Sequence, residues 1–117
     1  MDVREQIRIY LEDPESLYKE WYLEQLPYEA GIDFGEEVGV LVDWEKAFVN
    51  WVQTHLSELR RAICPNTSKI KAAVTQIDMV LEIMDLIEEQ PYVGTVKRTA
   101  TLLLLYGIEK LCEGYEP

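Results

Sequence analysis

The sequence predicts a single all-α bundle of about five helices, with three long core helices and two shorter N-terminal ones. Three observations carry that prediction. Apolar residues recur at spacings of three and four along most of the chain, the period of one helix face. They make up 48% of 117 residues, too many for disorder and enough to bury a core in one domain. The punctuation is helical as well: Asp13-Pro14, Pro27, Asp43, Pro65, Pro91 and Thr95 stand where N-caps, first-position prolines and terminators belong.

Asp2 caps a first helix running to about Glu12, with Val3, Ile7 and Leu11 on one face. Asp13-Pro14-Glu15 restarts the chain as a second helix, which carries Leu17, Trp21 and Leu26 inward, with Tyr18 and Tyr22 beside them, until Pro27. These acidic helices occupy residues 2–26. In residues 27–43, Gly31, Gly35 and Gly39 recur amid Asp33, Glu36 and Glu37, so an acidic loop is expected. The first long helix, 44–64, is capped by Asp43 and places Trp44, Phe48, Trp51, His55, Leu59 and Ile63 on one face.

The second, 69–90, aligns Ile70, Val74, Ile77, Leu81 and Met84. Unbroken, it would be roughly 33 Å long and act as the central post of the domain. Pro91-Tyr92-Val93-Gly94 turns it back into the third, 96–112, with Ala100, Leu103, Leu104, Ile108 and Leu111 inward. Gly107 inside this helix costs around 1 kcal/mol relative to alanine, which predicts a bend or a close backbone crossing there. A tight hairpin would also bring Glu88 or Glu89 into ion-pair reach of Lys97 or Arg98.

The net charge is −11, and residues 1–45 alone hold 13 acids against 3 bases. Such a balance opposes direct nucleic-acid binding, which needs cations to displace counterions from phosphate, and docking on anionic membranes. No basic, apolar leader opens the chain, so a cytoplasmic location is expected, with Cys64 and Cys112 as reduced thiols.

Catalytic signals are weak. His55 is the single histidine and precedes Glu58 by three positions, whereas a carboxylate-bridged metal bundle needs two Glu-x-x-His motifs. Nine residues of continuous helix put Cys64 on the face opposite His55, against a thiol–imidazole pair. The glycines of 31–39 lack the Lys-Ser/Thr ending of a phosphate loop. No cofactor is expected. The acids Asp78, Glu82, Asp85 and Glu89 form one stripe on the second long helix.

These absences, with the aromatic and acidic N-terminal third, lead to a non-enzymatic protein-interaction or assembly module of a larger complex, with a basic-surfaced protein partner. The candidate partner-binding residues are Tyr18, Trp21, Tyr22, Tyr28, Phe34, Glu36, Glu37, Asp78, Glu82 and Asp85. The alternative is an acidic inhibitor that imitates nucleic acid and fills a basic groove. A second alternative is a small helical enzyme or metal-binding protein using His55 and carboxylates. The wide apolar faces holding Val80, Ile87, Leu102 and Leu105 also raise the expectation of a homodimer.

Overall fold

In the computed structural model, which describes residues 2–25 and 43–115, every regular element is helical. The all-α expectation holds. Asp2 accepts from the Arg4 amide at 3.0 Å and starts α1, Val3–Glu12. The Asp13 carbonyl accepts from the Leu17 amide at 3.2 Å and its side chain from Ser16 at 3.3 Å. Asp13 thus opens α2, Pro14–Gln25. Asp43 does the same for α3, Trp44–Thr54, through the Lys46 amide at 3.0 Å. Tyr28, Phe34, Glu36, Glu37 and most of the loop expected over 27–43 lie outside the described residues.

Each of the three long helices predicted from periodicity is broken, so the count of about five is too low. The first divides at His55 into α3 and α4, Leu56–Ile63. Thr54 donates its hydroxyl back to the Asn50 carbonyl at 2.9 Å, a contact that bends helices. A short 3₁₀ turn, Cys64–Asn66, follows. The second divides into α5, Thr67–Lys71, and α6, Gln76–Ile87. Thr75 takes an extended conformation, accepts from the Asp78 amide at 3.1 Å and donates its hydroxyl to the Asp78 carboxylate at 2.9 Å. The central post therefore shrinks to 12 residues, roughly 18 Å. Val74, expected inside, is 91% exposed. The third divides into α7, Val96–Tyr106, and α8, Ile108–Leu111. Gly107 stands between them at φ 111°, a backbone conformation essentially reserved for glycine.

The antiparallel pair α6 and α7 remains the centre, with α1 and α2 laid across α7, α3 beside α2, and α4 against α6. Val80, Ile83, Ile87, Leu102 and Leu103 are fully buried between these layers. Trp21 fills the space between α2 and α3, edge-on to Phe48 at 5.0 Å and Trp51 at 5.6 Å. Its Nε1 donates to Thr99 Oγ1 at 3.2 Å. Val80, Ile87 and Leu102 being covered within one chain, only Leu105 of the four residues behind the homodimer expectation is exposed.

Two further expectations are corrected. Cys64 and Cys112 are not separate thiols: their Cα atoms lie 5.6 Å apart and the sulfurs form a disulfide. The expectation of reduced thiols came from compartment, whereas the fold brings α8 back onto the end of α4 across a separation of 48 residues. The thiol-nucleophile reading ends there, since both sulfurs are used. Nor do Glu88 and Glu89 meet Lys97 and Arg98. Lys97 donates to Gln6 Oε1 at 2.6 Å, and Arg98 pairs with Glu24 and, at 3.0 Å, with Glu20. The cations at the start of α7 clamp α1 and α2 onto the hairpin instead of neutralising its turn.

Candidate functional site

Among the described residues, those expected to face a partner stand on two helices, α2 and α6. Tyr18 and Tyr22 are half-buried on α2, Tyr18 edge-on to Phe48 at 6.0 Å and Tyr22 to Trp44 at 4.9 Å. Burial raises the Tyr18 hydroxyl above its ordinary range, and the Glu45 carboxylate adds to the effect. Trp21 is 2% exposed and is withdrawn as a surface anchor, because the α2–α3 packing consumes its whole ring.

The acidic stripe on α6 is only partly free. Arg4 of α1 pairs with Asp78. That bond, followed by those from Thr75, holds the Asp78 carboxyl below the usual carboxylate range. Glu82 lies 4.0 Å from the Lys69 ammonium. Asp85, Glu88 and Glu89 are exposed and meet no cation among the described residues. On α1, Arg8 is shared between Glu5 and Glu12, and its bond to Glu5 lowers that carboxyl.

A corner that periodicity did not single out brings more chemistry together. The break at His55 lets α4 turn against the end of α6 and the chain that follows it. There the His55 ring stacks on Tyr92, 4.4 Å between centroids and 7° from parallel, with Trp51 behind at 5.9 Å from Tyr92. Glu58, Arg61 and Ala62 of α4 and Gln90 line a shallow depression of about 280 Å³. The Tyr92 hydroxyl is buried and bonded to no other group. Burial, and then the Glu58 carboxylate, push it up to about 12, against a smaller opposing effect of Arg61. Both charges therefore act on the same hydroxyl. The one sequence signal for this corner was the His55–Glu58 spacing, and the stacking partner of His55 comes from 37 residues further on.

Among the described residues no group of three or more histidine, cysteine, aspartate or glutamate side chains is placed to hold a metal ion. No helix there is long and apolar enough to cross a membrane. No family model, curated protein or solved structure matches this chain.

Proposed function

We propose that the protein is a non-enzymatic interaction or assembly module whose partner presents a basic surface to the C-terminal end of α6. The observation that supports this reading is the charge left at Asp85, Glu88 and Glu89. A helix C-terminus carries the negative end of the macrodipole, which disfavours carboxylates there. Lys97 and Arg98, the nearest cations in sequence, are held by Gln6, Glu20 and Glu24 on the N-terminal helices. An arrangement that breaks a local rule without internal compensation is expected where function requires it, and a basic partner would supply the missing cations.

The nucleic-acid mimic draws less support. Its carboxylates must stand free at phosphate-like spacing, whereas Glu5, Glu12, Glu20 and Glu24 are engaged by Arg8 and Arg98.

The test is the variant carrying Asp85→Asn, Glu88→Gln and Glu89→Gln. Removing three mutually repelling charges from a helix end should raise the melting temperature while abolishing capture of the partner by tagged protein from the source cell. The captured protein should be basic, and wild-type binding should weaken with salt as screening shortens to about 8 Å at 0.15 M. Capture that survives in the folded variant excludes this face.

A further inference from the structure

The depression between α4 and the end of α6 is surrounded by polar groups that the protein leaves unused. Glu58 and Arg61 stand three positions apart on α4, where Cβ atoms are about 5–6 Å apart and opposite charges ordinarily pair. Neither makes an ion pair, with the other or with any described residue. The Gln90 backbone closes the end of α6, its N–H donating to Ile87 at 3.0 Å and its carbonyl accepting from Val93 at 3.1 Å. Its side-chain amide has no partner among the described residues and lines the depression. Beside these three, near enough to feel the charges of Glu58 and Arg61, the Tyr92 hydroxyl is buried and unbonded, although such a group is normally satisfied by protein, water or ligand.

We propose that this depression is a binding site for a small zwitterion of the α-amino-acid class, with the ammonium on Glu58 and the carboxylate on Arg61. A guanidinium offers paired N–H donors that match a carboxylate. An ammonium has three donors, and the two Glu58 carboxylate oxygens and the Gln90 amide oxygen are three acceptors for it. A ligand carrying both charges one carbon apart bridges two side chains that do not reach each other. Size agrees. About 280 Å³ lies just below the usual range for small-molecule pockets, roughly 300–1,000 Å³, which is room for a molecule of amino-acid size. Tyr92 keeps its proton throughout the neutral range, so no negative charge develops there to repel a ligand carboxylate. The site does not depend on whether a basic partner docks at Asp85, Glu88 and Glu89.

The experiment is an amide-resonance titration of the full chain with glycine, alanine, glutamine, glutamate and lysine, each to about 20 mM, a range that detects millimolar dissociation constants. At least one should shift resonances of residues 55–62 and 90–92 saturably. Alaninamide, which lacks the carboxylate, and N-acetylalanine, which lacks the ammonium, separate a zwitterion site from a simple ion site. Each should bind at least about tenfold more weakly than alanine. Glu58→Gln and Arg61→Gln, both at exposed positions and checked for fold by circular dichroism, should each weaken binding about tenfold. The proposal is overturned by an absence of saturable shifts with every amino acid, by alaninamide or N-acetylalanine binding as tightly as alanine, or by folded Glu58→Gln and Arg61→Gln proteins that bind unchanged.

Discussion

Trp21 and Thr99 show how one buried hydrogen bond joins two parts of the chain. The indole needs an acceptor once its ring is inside, and Thr99, fully buried on α7, supplies it at 3.2 Å. Thr99→Val keeps the shape and removes the oxygen, leaving a buried donor unsatisfied at a cost of about 1–3 kcal/mol. Thr101 is an internal control, equally buried, with its hydroxyl donating at 2.9 Å to the Lys97 carbonyl within the same helix. That carbonyl keeps its helical bond, so Thr101→Val should cost less. Urea unfolding of both variants checks this, and equal losses would show that the indole bond is not what Thr99 contributes. At this scale the sequence is informative but incomplete. Leu17 and Trp21, one turn apart, read correctly as inward residues, whereas the acceptor for the indole lies 78 positions away and no local pattern announces it.

Elements were legible in kind and less so in length. Periodicity sees a face, and a face continues through a break whenever the next helix resumes on the same side of the core. That is why 44–64 reads as one helix although Thr54 bends it, and why Ile70 and Ile77 read as one stripe across the break at 72–75. Gly107 was expected to bend its helix, and the bend separates α8 entirely. Thr75 and Asp78 do stand at the spacing of a capping pair, but the apolar period runs through them unbroken. The disulfide was not legible at all, because nothing local relates Cys64 to Cys112. It closes a loop with a separation of 48 residues, which withdraws about 4 kcal/mol of entropy from the unfolded chain. Arg60 holds the same segment independently, donating at 2.8 Å to the carbonyls of Leu111 and Glu113. The Cys64→Ala/Cys112→Ala protein should therefore keep its helix content and lose about 4 kcal/mol, seen as an earlier denaturant midpoint. An unchanged midpoint would mean that the bridge does not constrain the unfolded state.

Over the whole molecule, the asymmetry of charge was plain in the sequence, and its internal compensation was not. Arg4, Arg8 and Arg98 draw on acids of α1, α2 and α6, and only the short-range pairs of Arg8 lie within helical spacing. The titrating groups set the limits of stability with pH. Asp78 and Glu5 have folded pKa values below their unfolded ones. Their contribution is complete above the unfolded carboxylate range, about 4, and disappears as pH falls through the lower folded values. Tyr92 works at the other end. Its folded value is about 12, against about 10 for an unfolded tyrosine. Between those values the unfolded chain has released a proton that the folded chain still holds, so stability must fall as pH rises. Tyr18 is shifted in the same direction and adds to the slope. Urea midpoints of wild type and Tyr92→Phe at pH 7, 9 and 11 separate the contributions. Wild type should change little from 7 to 9 and drop clearly by 11, while Tyr92→Phe should drop less. If both proteins lose the same amount by pH 11, the Tyr92 hydroxyl ionises in the folded state as easily as in water, and burial does not hold its proton.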